Sequence, residues 1–129
     1  MTEKNSRTVL VVDDEPDVVA YLSTLLTDSG YRVLTASDGR EGSERVKRDK
    51  PDLITLDITM PEESGVRMYR DLHQDEKTAG IPVIIVTGVS HEFKRFIETR
   101  RQVPPPAGYF EKPIDRKEFL DKVKEILHA

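Results

Sequence analysis

The chain has 129 residues, and its 20 lysines and arginines against 24 aspartates and glutamates leave a formal net charge of −4. One domain with one core fits this length, the acidic balance disfavours unspecific nucleic-acid binding through a basic face, and the lack of cysteine excludes disulfides, thiolate metal sites and thiol nucleophiles. No apolar run approaches the roughly 20 residues needed to cross a bilayer, and residues 1–8 hold no signal-peptide core, so residues 1–129 read as a single cytoplasmic domain with a flexible tail over about residues 1–6.

The apolar run Thr8-Val9-Leu10-Val11-Val12 predicts a first strand that ends at the carboxylates Asp13 and Asp14. Pro16 suits a first helical turn, and Val18, Leu22, Leu25 and Leu26 recur at helical spacing until Ser29-Gly30 stops the pattern. Tyr31 to Ala36 reads as the second strand. Asp38-Gly39 opens a predicted helix to Arg48 whose single large apolar residue is Val46. Leu53 to Asp57 is the third strand, apolar on both faces as a buried parallel strand requires, and Ser64 to His73 carries Val66, Tyr69 and Leu72 at helical spacing. Pro82 to Thr87 is the fourth strand, with proline tolerated at its start. Glu92 to about Arg101 predicts a fourth helix with Phe93, Phe96 and Ile97 on one face, and Gly108 to Phe110 a short fifth strand. Asp115 with Glu118 three residues on is similar to a capping box, and Phe119, Val123, Ile126 and Leu127 mark a last amphipathic helix.

Five such strand–helix units predict an α/β fold, a doubly wound five-stranded parallel sheet in the order 2-1-3-4-5. Its switch point lies between the first and third strands, where strand tips converge on one crevice. Asp13, Asp14 and Asp57 stand at those tips, with the hydroxyl of Thr87 after the fourth strand and the ammonium of Lys112 after the fifth. Three carboxylates in one crevice repel unless a cation sits among them. Oxygen ligands without His or Cys select a hard ion, and magnesium suits this set better than zinc. A capping role for Asp13 and Asp14 accounts for one aspartate but not for two.

These residues form four motifs: Val11-Val12-Asp13-Asp14-Glu15-Pro16, Leu56-Asp57-Ile58-Thr59-Met60-Pro61 with Gly65, Thr87, and Tyr109-Phe110-Glu111-Lys112-Pro113. In this order, each at a strand end, they resemble the receiver domain of response regulators in two-component signalling, with its flavodoxin- and CheY-like fold, over nearly the whole chain. The resemblance implies that Asp57 accepts a phosphoryl group from a histidine kinase in a magnesium-dependent step. It implies that Asp13, Asp14, Asp57 and Thr59 serve the magnesium, that Thr87 and Lys112 hold the phosphoryl oxygens, and that Thr87 and Tyr109 switch on activation. A cis bond before Pro113 is implied as well. The implied partners are a sensor histidine kinase or phosphotransfer protein upstream and a target protein or output domain downstream. The downstream partner would be reached through the predicted fourth helix, fifth strand and last helix. Homodimerisation on activation is compatible with this; direct nucleic-acid binding, membrane binding and enzymatic turnover are not implied.

Several positions depart from the family pattern. Gly88 replaces the small alanine that commonly follows the threonine and loosens that loop, Ser64 replaces a common aspartate and alters a cap, and Val103-Pro104-Pro105-Pro106-Ala107 lengthens the path into the fifth strand. The apolar Val89, two residues beyond Thr87, cannot orient a hydrolytic water, which predicts slow self-dephosphorylation. Lys94, Arg95, Arg100 and Arg101 read as a solvated helix face, and His73, His91 and His128, without ligand spacing, as surface residues. A haloacid-dehalogenase-like phosphohydrolase would also place a nucleophilic aspartate at a strand tip, but wants a second aspartate where this chain has Thr59. A flavin-binding relative would need a hydroxyl-rich phosphate loop where this chain has acids.

Overall fold

The computed structural model describes residues 7–60, 64–88 and 106–128. Its elements in chain order are β1 (Thr8–Val12), α1 (Pro16–Asp28), β2 (Arg32–Ala36), α2 (Gly39–Asp49), β3 (Leu53–Asp57), α3 (Ser64–Gln74), β4 (Val83–Thr87), β5 (Gly108–Glu111) and a C-terminal helix (Arg116–Leu127). The predicted helix from Glu92 to Arg101, the basic cluster on it, Val89, His91 and residues 103–105 lie outside the described residues.

All strand pairings are parallel, and the sheet order is β2-β1-β3-β4-β5, as the sequence pattern predicts. The register sets Val12 beside Leu56 and Asp57 beside Val86, so the strands end together at one edge.

Period-two alternation sorts the apolar side chains onto two faces. Leu10, Val12, Ile54, Leu56, Val83 and Ile85 form one cluster with Val46 of α2 and Met68, Tyr69 and Leu72 of α3. Val9, Val11, Leu53, Ile84 and Val86 face the other way, onto Leu22, Leu25 and Leu26 of α1 and Phe119, Val123 and Leu127 of the C-terminal helix. Each such fully buried aliphatic side chain contributes about 1.5–3 kcal/mol of transfer free energy, enough to hold the central strands rigidly.

The apolar-poor α2 is specified by its ends and by small residues. Asp38 caps it by accepting from the Glu41 N–H at 2.8 Å, while Glu41 Oε1 reaches back to the Ser37 N–H. Gly42 lies against Met68, where a β-carbon would come within 2.8 Å of the sulfur, so α2 and α3 pack closely on a face with little bulk. The C-terminal helix starts as the Asp115/Glu118 pattern suggests, with Asp115 Oδ1 accepting from the Glu118 N–H at 2.9 Å.

One minor expectation gains detail and one changes. The Ser64 hydroxyl accepts from the Gly39 N–H at 3.3 Å, so it serves the start of α2, a neighbouring helix. His73 is half-buried rather than on the surface: its ring packs on Tyr69 at 4.4 Å, and Nδ1 lies 3.0 Å from the Tyr69 carbonyl oxygen.

Candidate functional site

Asp57 is the last residue of β3, and α3 begins directly behind it. A β-carbon at Gly65 would stand 2.1 Å from the Asp57 carbonyl oxygen, so only glycine lets the helix approach the strand tip this closely. Asp13 follows β1 and is anchored by its N–H to the Ala36 carbonyl at 3.1 Å. Thr87 ends β4, fully buried, and its carbonyl accepts from the Lys112 N–H at 2.8 Å. The Lys112–Pro113 peptide is cis, as the resemblance implies.

Carboxylate oxygens of Asp13, Asp14 and Asp57 lie within 4.8 Å of one another. Asp13 and Asp57 are each 2% exposed, whereas Asp14 faces solvent. The Lys112 ammonium enters this group from β5, 3.1 Å from Asp13 Oδ2 and 3.3 Å from Asp57 Oδ2, and it also binds Glu15 Oε1. Apart from this ammonium, the buried Asp13 Oδ2 receives no hydrogen bond among the described residues. Asp57 Oδ1 accepts two: the Thr59 N–H at 2.8 Å and the Thr59 hydroxyl at 2.6 Å.

Burial pushes the Asp13 carboxyl up from its ordinary 3.8 to about 6; the Asp57 charge adds to the rise, while the Glu15 N–H and the Lys112 ammonium oppose it. For Lys112, burial alone would lower the ammonium. The Glu15 bond and the charges of Asp57 and Asp13 outweigh it and hold Lys112 above the usual lysine range. A buried carboxylate with an under-satisfied oxygen, beside two further carboxylates and, among the described residues, no nitrogen or sulfur ligand, fits a hard divalent cation.

The predicted residues therefore divide by place. Asp13, Asp14, Asp57 and Lys112 meet in one crevice, and Thr59 joins through its two bonds to Asp57. Thr87 reaches the group through its main-chain bond to Lys112. Tyr109 pairs with Ile85 in register and packs, half-buried, against the cluster on the α2–α3 face. Asp13 and Asp14 do not cap α1, since its N-cap is Glu15, which makes no side-chain cap bond. The sequence reading assigned Glu15 no role. The signal available for it was an acid immediately before a helix-opening proline.

The chain is similar to known proteins. A family model described as response regulator receiver domain matches residues 9–124. Protein PilH of Pseudomonas aeruginosa is 34% identical over 119 residues, which cover 92% of this chain and 96% of PilH. The alkaline phosphatase synthesis transcriptional regulatory protein PhoP of Bacillus subtilis is also 34% identical, over 95% of this chain, and the matched part is 49% of PhoP. Among solved structures, chemotaxis protein CheY4 of Vibrio cholerae superposes with a TM-score of 0.81 at 27% identity, covering 94% of this chain and 98% of the other.

Proposed function

The chain belongs to the response regulator receiver domain family, and from that premise we propose that it takes a phosphoryl group onto Asp57 and passes the signal on through the β4–β5 edge. Receiver domains are signalling proteins rather than enzymes in the ordinary sense, so the chemistry expected is one self-phosphorylation and a slow return. The observation that carries the reading is the Asp57 carboxylate, fixed at a strand tip, with an ammonium at 3.3 Å and two further carboxylates within 4.8 Å.

An Asp57 oxygen attacks the phosphorus of a phosphohistidine or small phosphoryl donor. The bond from phosphorus to the donor atom breaks, a mixed anhydride forms, and the donor leaves with the bonding pair. Such a transfer needs positioning and charge more than covalent help. Thr59 orients the carboxylate through its two bonds to Oδ1, and Lys112 supplies positive charge on the Oδ2 side. Magnesium would be held by Asp13, Asp14 and Asp57, with Thr59 contributing a main-chain or hydroxyl oxygen, and when bound it supplies charge neutralisation on the phosphoryl oxygens.

The signal would travel by population shift. Thr87 and Tyr109 share one face of adjacent strands, since Tyr109 pairs with Ile85, two residues before Thr87. A Thr87 hydroxyl drawn toward a phosphorylated Asp57 opens space that the Tyr109 ring can take, which alters the edge offered to a target protein or output domain. The upstream partner is a sensor histidine kinase or phosphotransfer protein, and the whole chain works as one receiver unit. Because the apolar Val89 two residues after Thr87 cannot orient a hydrolytic water, the phosphorylated form should outlast seconds.

Incubation with acetyl phosphate and magnesium, followed by intact-mass measurement, tests the assignment. The wild type should gain one phosphoryl group, and Asp57→Asn should gain none. Equal uptake by the variant would overturn it.

A further inference from the structure

Glu15 is fixed by its main chain, and its side chain reaches out into the crevice. Proline restricts the residue before it to extended backbone, and Glu15 sits at φ −97°, ψ 112°. Its N–H donates to Asp13 Oδ1, and its carbonyl accepts from Val18 and Val19. Its carboxylate crosses the crevice to Lys112, 97 residues away in the chain, and makes the shortest of the three contacts of that ammonium.

Two of the three contacts go to Asp13 Oδ2 and Asp57 Oδ2, both part of the cation-binding group. The third goes to a carboxylate outside that group, 58% exposed. A divalent cation among Asp13, Asp14 and Asp57 repels an ammonium that touches the same oxygens. Lys112 can yield at low cost only where a negative group waits on the outer side.

We propose that Glu15 is the resting partner of Lys112, a positioning residue that draws the ammonium off Asp13 and Asp57 so that a divalent cation and Lys112 occupy the crevice together. It gives Lys112 up when a phosphoryl group on Asp57 offers a denser negative charge. The proposal rests on the magnesium-dependent reading above.

Calorimetric titration of the full chain with magnesium chloride tests it, using the wild type, Glu15→Gln, Lys112→Met and the double variant. Glu15→Gln should weaken magnesium binding about three- to ten-fold, because the ammonium is left to Asp13 and Asp57 alone. In the Lys112→Met background the same change should cost about two-fold or less, the effect of a screened, exposed charge. If Lys112→Met does not fold, Lys112→Gln takes its place in the cycle. An equal loss in both backgrounds, or none in the wild-type background, overturns the role of Glu15 and leaves the phosphorylation reading standing. A wild type that takes up no magnesium overturns both.

Discussion

Val83–Thr87 of β4 and Gly108–Glu111 of β5 lie side by side in register, yet every residue of β4 is buried and none of β5 is. β4 is flanked by β3 and β5 and packed on both faces; β5 is the edge strand with one neighbour. The groups of the site divide accordingly. Asp57 and Thr87 end interior strands whose position is over-determined, while Lys112 and Tyr109 belong to the edge, the kind of region that opens locally at lower free energy. The proposed function uses both, because an acceptor has to be rigid for in-line transfer and a reporter has to be able to move.

The interior side of this contrast is tested most severely at Gly65. Gly65→Ala would place a β-carbon 2.1 Å from the Asp57 carbonyl oxygen, against backbone that cannot turn aside. It should cost about 3 kcal/mol in urea unfolding; a cost near zero would mean that the strand tip yields, and the contrast would fail. Asp13, after the other interior strand, gives a pH signature. Below pH 3.8 its carboxyl is protonated in folded and unfolded chains alike, and up to about 6 only the folded chain keeps the proton. Its stabilising contribution is therefore lost as the pH rises through about 6. The stability of the metal-free wild type relative to Asp13→Asn should fall across that window and level off above it, with saturating magnesium reversing the loss at neutral pH. A flat difference would remove the burial effect on Asp13.

Hydrogen exchange sharpens the comparison directly. The amides of Ile84, Ile85 and Val86 should exchange only through global unfolding, and those of Tyr109 and Phe110 through an opening about 1–2 kcal/mol less costly. Equal protection would abolish the distinction between the strands. The smallest effect is expected at Gly88, where a β-carbon would meet, among the described residues, Thr59 Oγ1 alone, at 4.0 Å. Gly88→Ala should stabilise the fold by about 0.4–1 kcal/mol through the unfolded chain; destabilisation would show that the glycine is needed in the folded state.

The strands, their order and the residues at their tips were legible because each apolar run stops at a polar residue and the connections are long enough for crossovers. Asp13, Asp57, Thr87 and Lys112 could be placed from that pattern alone. Gly42 and the Asp38/Glu41 cap hold α2 where hydrophobic periodicity is thin, so its boundaries rested on turn chemistry. The ion pair between Glu15 and Lys112 was not legible. It depends on two side chains reaching across a crevice that exists only after β1 and β5 are assembled, and nothing local in either segment points to the other. The two bonds from Thr59 to Asp57 were hidden likewise, since a threonine beside a turn reads as ordinary loop chemistry.

The main-chain bond from the Lys112 N–H to the Thr87 carbonyl makes a yoke. Hydroxyl and ammonium belong to residues joined by this one hydrogen bond, so neither strand tip can travel without tugging the other. Leverage of this kind acts in both directions: under the proposed function, a protein that clasps the outer margin of the sheet and tilts it would also change the equilibrium of phosphoryl uptake at Asp57, by the same factor with which phosphorylation tightens the clasp.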